Sequence, residues 1–116
     1  MNRLLLAAFL LLPGQCWAHA FLESAVPRVG SEIPAPPTQV LLHFTQGVEP
    51  SFSKIEVDDA AGTDVTDGAP QTLPNDPTRI FVKLKPIKAG RYTVIWHITS
   101  VDTHKTQGKF HFTVTK

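Results

Sequence analysis

Three residues from two distant segments of this chain carry side chains suited to one metal ion: His19, Asp102 and His104. Asp102 and His104 lie two apart in Ser100-Val101-Asp102-Thr103-His104. In an extended segment such residues point to the same side, with Cβ atoms roughly 7 Å apart, close enough to converge on one ion. Taken alone, the pair reads as an Asx-turn aspartate beside a solvent histidine. His19 changes that reading through its place in the chain. The sequence opens Met1-Asn2-Arg3, runs apolar from Leu4 to Leu12, breaks at Pro13-Gly14 and continues Cys16-Trp17-Ala18. This is the pattern of an export signal, and cleavage after Ala18 would make His19 the first residue of the mature protein. An N-terminal histidine offers two nitrogens, a free α-amine and an imidazole, in one chelate ring. An internal histidine has an amide in place of that amine.

Two nitrogens from His19, one from His104 and an oxygen of Asp102 form a nitrogen-rich set of four, similar to the arrangement called a histidine brace. Such a set suits square-planar or tetragonal Cu(II), which also tops the divalent affinity order. The expectation is one Cu(II) per chain, held by His19, Asp102 and His104. Soft sulfur ligands, which select Cu(I), are missing from the mature chain, because Met1 and Cys16 are the only methionine and cysteine. Cu(II) should therefore be held tightly and Cu(I) poorly. A free α-amine titrates at about 7.7–8.0 and a histidine at about 6.5, and both must lose protons to bind, so affinity should fall as pH drops through that range.

The rest of the chain must position these groups. The apolar run of about nine residues is shorter than the roughly 20 a membrane-spanning helix needs. A lipoprotein signal at Cys16 is disfavoured by Gln15, where a very small residue is wanted. Residues 1–18 are thus read as a cleaved signal peptide and residues 19–116 as one small domain. That domain has no cysteine and so no disulfide, although its compartment would permit one. Removing Arg3 from the eleven Lys plus Arg leaves ten, against ten Asp plus Glu. No basic stretch offers itself to nucleic acid or to lipid headgroups.

Alternation of apolar and polar residues marks strands with one buried face. It runs through Val40, Leu42 and Phe44; Ile55 and Val57; Ile80, Val82 and Leu84; Tyr92, Val94, Trp96 and Ile98; and Phe110, Phe112 and Val114. Ala20 to Ala25 is a further candidate. Pro34, Pro36 and Pro37, Ala61-Gly62, Asp67-Gly68 and Ala89-Gly90 break the pattern, and Pro70, Pro74 and Pro77 mark a long loop before Arg79. No stretch of ten residues carries a helical period. The expected fold is all-β, a small antiparallel sandwich or Greek-key barrel. The Trp96 strand is expected at its centre, with Tyr92, Val94, Trp96 and Ile98 packing the core.

His43, His97 and His111 stand on the parity opposite the apolar stripe of their strands, and are assigned to an exposed or hydrogen-bonded face. The lesser alternative has one of them orient His104 or Asp102. Glu49 is read as a surface carboxylate, with the same alternative. Asp58, Asp59 and Asp64 are too sparse for a calcium loop. No phosphate loop, zinc-finger spacing or nucleophile arrangement is present.

Several segments together are similar to the CopC family of periplasmic copper-binding proteins. They are His19-Ala-Phe-Leu-Glu-Ser-Ala-Val-Pro-Arg-Val-Gly-Ser31, Val40-Leu-Leu-His-Phe-Thr-Gln-Gly-Val-Glu49, and Tyr92-Thr-Val-Ile-Trp96 continuing through Ser100-Val-Asp102-Thr-His104 to Gly108 and Phe112. The resemblance covers essentially all of the mature chain. It implies a seven-stranded Greek-key barrel, called cupredoxin-like or immunoglobulin-like, and a role in copper resistance or uptake. It also implies Cu(II) ligands at His19, Asp102 and His104. Without a mature methionine the chain resembles the Cu(II)-only branch. Many relatives carry a glutamate where this chain has Gln46; the amide lacks that charge but could donate to Asp102, and Gln46→Glu should then raise Cu(II) affinity.

The leading expectation is a non-catalytic periplasmic carrier or buffer of copper, with an inner-membrane transporter of the CopD type as the partner the resemblance implies. Two alternatives compete. A copper-dependent redox enzyme of the histidine-brace type would cycle its metal, which an anionic Asp102 ligand disfavours. A plain β-sandwich interaction module would bind no stoichiometric copper.

Overall fold

The computed structural model describes residues 20–116; the expected signal peptide and His19 lie outside the described residues. Eight strands are present among the described residues: β1 Leu22–Val26, β2 Glu32–Ile33, β3 Gln39–Phe44, β4 Lys54–Asp58, β5 Gln71–Leu73, β6 Asp76–Lys83, β7 Gly90–Thr99 and β8 Lys105–Val114. One 3-10 turn, Pro50–Phe52, precedes β4. The strands form two four-stranded sheets, ordered β1-β3-β6-β5 and β2-β8-β7-β4. Neighbours are antiparallel except β2, which runs parallel to β8.

The expected all-β sandwich is therefore present, and the alternation explains it. Val40, Leu42 and Phe44 of β3 and Tyr92, Val94, Trp96 and Ile98 of β7 are all buried, because period-two side chains put one whole face of a strand against the opposing sheet. Phe44 and Trp96 meet edge to face between the sheets, with ring centroids 5.1 Å apart. Tyr92 stacks on its cross-strand partner Phe112 at 5.4 Å. The Tyr92 hydroxyl donates to the Lys88 carbonyl at 2.7 Å, which satisfies its polar end. Gly108 lies opposite Trp96 in the β7–β8 ladder. A Cβ there would stand 2.6 Å from Trp96 Cζ2, so the indole lies flat on the neighbouring backbone only because residue 108 has no side chain.

Two expectations need correction. The first strand begins at Leu22, not Ala20, because side chains take part of the pairing before it: Thr106 Oγ1 donates to the Ala20 carbonyl and Phe21 N donates to Thr45 Oγ1, while the Phe21 carbonyl accepts from Thr45 N. The long loop expected at Pro70–Pro77 is instead the β5–β6 hairpin. Pro74 fixes φ at the first turn position and Asn75 takes a positive φ of 65° at the second, the pairing a type II turn favours. Pro77 does not break β6. It lies beyond the β3 pairing, which starts at Arg79, and within the irregular part of the β5 register, where no ladder donor is required.

Asp58, at the end of β4, is half-buried, and its Oδ1 has no hydrogen-bond partner among the described residues. Burial, followed by the neighbouring Glu56, Asp64 and Asp59, pushes its carboxyl up to about 6. The folded state thus favours the protonated acid. The stability this gives is full below the ordinary value of 3.8 and is lost as pH rises through 6. Asp58→Asn is expected to stabilise the domain by about 1–2 kcal/mol at pH 7 and to change little at pH 3. Urea denaturation at the two pH values measures this.

Candidate metal centre

The β7–β8 connection closes in three residues, Val101, Asp102 and Thr103, between Ser100 and His104. Ser100 N donates to the His104 carbonyl at 2.9 Å, and Thr103 N donates to the Ser100 carbonyl at 2.8 Å. Thr103 takes a φ of 72°. This is a tight hairpin turn followed by a left-handed residue. The pair is therefore not brought together by extended alternation, as the spacing suggested; the chain turns back on itself. The turn places Asp102 Oδ1 3.3 Å from His104 Nδ1, both side chains nearly half exposed.

A β-branched residue is strained in the left-handed region, and glycine or asparagine is the usual occupant. Thr103 is exposed, and its hydroxyl bonds the Asp102 carbonyl. Thr103→Asn is expected to stabilise the domain by about 1 kcal/mol without moving Asp102. Thermal unfolding, with the chemical shifts of Asp102 and His104 as the control, tests this.

Two other segments reach the turn. Residues after β3 are laced to it: Val101 N donates to the Gly47 carbonyl at 3.0 Å, Glu49 N to the Thr99 carbonyl at 2.8 Å, and Val48 bridges Ser100. Gln46 is thereby set beside Asp102, and its Nε2 donates to Asp102 Oδ1 at 3.1 Å. The hydrogen bond that the sequence allowed between these residues is present. The second segment is the start of the described chain. Ala20 is 1% exposed, and its carbonyl accepts from Thr106 Oγ1 at 3.0 Å, two residues past His104.

The Ser100 hydroxyl also donates to Asp102 Oδ1 and accepts from His104 N at 3.2 Å. The hydroxyl of Ser100, assisted by His104 and Gln46 and opposed by partial burial, holds the Asp102 carboxyl down at about 2. At neutral pH the turn therefore presents a carboxylate anion beside an imidazole. These two groups match the oxygen and nitrogen donors that borderline divalent metals accept. Among the described residues no three His, Cys, Asp or Glu side chains are gathered for a metal ion. The pair thus supplies two donors, and the third expected ligand, His19, lies outside the described residues.

The remaining histidines stand as the alternation implied. His43 Nδ1 lies 3.4 Å from Glu23 Oε1, His111 Nδ1 3.2 Å from Thr93 Oγ1, and His97 is exposed. None of these contacts reaches Asp102 or His104. Glu49 contributes its backbone to the loop, and its carbonyl accepts from Ser53 Oγ at 2.7 Å. Sequence reasoning missed Ser100, Thr45 and Thr106. Their types are common in strands and turns, and only the Ser-x-Asp spacing hinted at a local hydroxyl–carboxylate bond.

The fold is a two-sheet β-sandwich that carries a carboxylate–imidazole pair on an end hairpin. The sequence model of the CopC domain matches residues 22–115, so the chain belongs to the CopC family. It is similar to Protein YobA of Escherichia coli K12, 34% identical over 99 residues that span 84% of this chain and 80% of that protein. Among solved structures it is similar to CopC from Methylosinus trichosporium OB3b, with a TM-score of 0.78 and 32% identity over 84% of this chain and 94% of that one. PcoC, a methionine-rich copper resistance protein from Escherichia coli, gives a TM-score of 0.71 and 30% identity over 84% of this chain and all of that one.

Proposed function

We propose that this protein binds Cu(II) in the periplasm and acts as a non-catalytic carrier or buffer in copper homeostasis or resistance. One ion is held by the amine and imidazole of an N-terminal His19, by Asp102 and by His104. A CopD-like inner-membrane transporter is the proposed recipient. Membership of the CopC family and the copper-resistance relatives support the choice of metal.

The observation that carries the ligand set is the meeting of two segments at one hairpin. Asp102 and His104 stand 3.3 Å apart, and Ala20 is fastened to Thr106 on the same hairpin. Consecutive Cα atoms are about 3.8 Å apart, and the reading requires that a residue directly before Ala20 reach the pair from this anchor. The oxygen and nitrogen donors fit Cu(II), and Cys16 and Met1, the chain's thiol and thioether, both precede His19. Bound copper would be an oxidised ion in a tetragonal field of nitrogens and oxygen.

Mass spectrometry of the exported protein first establishes whether it begins at His19. Titration with Cu(II), followed by paramagnetic resonance, is then expected to give one tight site with nitrogen couplings. A chain starting at His19 that takes up no stoichiometric Cu(II) would defeat the proposal. Affinity should fall as pH drops from about 8 to 6, because protons compete for the terminal amine, whose ordinary value is about 7.7–8.0. Asp102, ionised above about 2, adds no pH dependence in that window. Competition titrations at three pH values check the slope.

A further inference from the structure

We infer that Gln46 and Ser100 are positioning residues that occupy Asp102 Oδ1 and leave Oδ2 for the metal, so that the aspartate binds through a single oxygen. This rests on the copper reading above. The argument begins with the donors. Gln46 Nε2 reaches Oδ1 at 3.1 Å, the Ser100 hydroxyl donates to the same atom, and His104 Nδ1 stands 3.3 Å from it. A carboxylate oxygen has two lone-pair sites, so Oδ1 is saturated by the protein. Oδ2 makes no hydrogen bond among the described residues.

Ser100 is suited to this role. It is 1% exposed, its backbone N–H is bonded to the His104 carbonyl, and it bridges Val48 on the neighbouring loop. A hydroxyl has one proton to give. It goes to Asp102, while the oxygen accepts from His104 N at 3.2 Å. One buried atom thereby fixes the aspartate side chain and the backbone of the histidine together. Gln46 approaches from the other side, on a loop held by Val48 N to the Pro77 carbonyl at 2.9 Å and by Val101 N to the Gly47 carbonyl. The carboxylate is clamped from two independent segments before any ion arrives. Preorganisation of this kind lowers the ordering cost of binding. Groups that orient a metal ligand without touching the metal typically contribute 10–100-fold in affinity.

The test uses the chain beginning at His19 and two variants, Gln46→Leu and Ser100→Ala. Gln46 is half-buried, so a leucine of similar volume removes the donor, adds no metal ligand and leaves the fold, even if Ser100→Ala unfolds. Gln46→Leu is expected to lower Cu(II) affinity by about 10–100-fold and to alter the paramagnetic resonance spectrum, with thermal unfolding nearly unchanged. In the metal-free protein, the Gln46 side-chain amide should exchange slowly with solvent, and should lose that protection in Asp102→Ala. Infrared difference spectra on adding Cu(II) should show the widely split carboxylate stretches of one-oxygen binding. Wild-type affinity and spectrum in Gln46→Leu would overturn the inference, as would unprotected amide exchange or the narrow splitting of two-oxygen binding. A wild-type chain that binds no Cu(II) overturns the copper reading and the single-oxygen assignment with it. The metal-free exchange measurement still decides whether Gln46 restrains Asp102.

Discussion

Acetylation of the α-amine in a chain that begins at His19 is expected to lower its Cu(II) affinity by about 10²–10⁴-fold, the range that tethering two binding groups confers. The amine and the imidazole of one residue close a single ring on the ion, so binding through one makes binding through the other intramolecular. Acetylation turns the amine into an amide, whose nitrogen lone pair is delocalised and which must first lose its proton to bind. The fold should be indifferent to the change, because the segment is fastened one residue later: Ala20 is buried and its carbonyl is held by Thr106, while Phe21 N bonds Thr45. A chain carrying one extra residue before His19 should fail in the same way, since its histidine nitrogen is again an amide. Competition with a chelator of known affinity measures both. Equal affinity of the blocked and free chains would remove His19 from the site and leave Asp102 and His104 as an ordinary surface pair.

Phe44→Ala is expected to cost about 3–5 kcal/mol of stability and to lower the melting temperature by at least about 12 °C. Phe44 is fully buried at the end of β3. Its ring meets Trp96 edge to face at 5.1 Å, an aromatic contact between the two sheets. The lost area and the cavity left behind add together, because the Trp96 ring lies against Gly108 and has little room to relax. The residue also stands immediately before Thr45 and Gln46. Thr45 N bonds the Phe21 carbonyl at 2.9 Å, and Gln46 bonds Asp102. Destabilisation should therefore be accompanied by weaker Cu(II) binding in the folded fraction. Calorimetry together with a copper titration at low temperature separates the two effects. A loss below 1 kcal/mol would mean that the sheets are not joined through this contact.

How much of this was legible beforehand depends on the range of the interaction that decides each feature. The core strands were readable because their alternation is strict and long: every even residue from Tyr92 to Ile98 is buried, as a two-residue period against one core demands. The β5–β6 hairpin was not, because three prolines in eight residues argue locally for a loop. Only the pairing of the folded sheet, which leaves Pro77 outside the β3 ladder and in the irregular part of the β5 register, makes that proline harmless. Asp102 and His104 were found from their spacing, but for an incomplete reason. Extended geometry would leave them about 7 Å apart at Cβ, and the turn that brings oxygen and nitrogen to 3.3 Å depends on a threonine in a conformation threonine disfavours.

What the sequence by itself determined is the all-β class, the buried stripe on each core strand and the chemical types of the expected donors. These follow from side-chain period and ligand chemistry, which act over a few residues. What only the tertiary structure decided is which distant groups meet. Gln46 reaches Asp102 across 56 positions, Thr106 holds Ala20 across 86, and Phe44 finds Trp96 in the opposite sheet. Such contacts are set by strand order and by the lacing of end loops, and the physics of a short window carries no record of them.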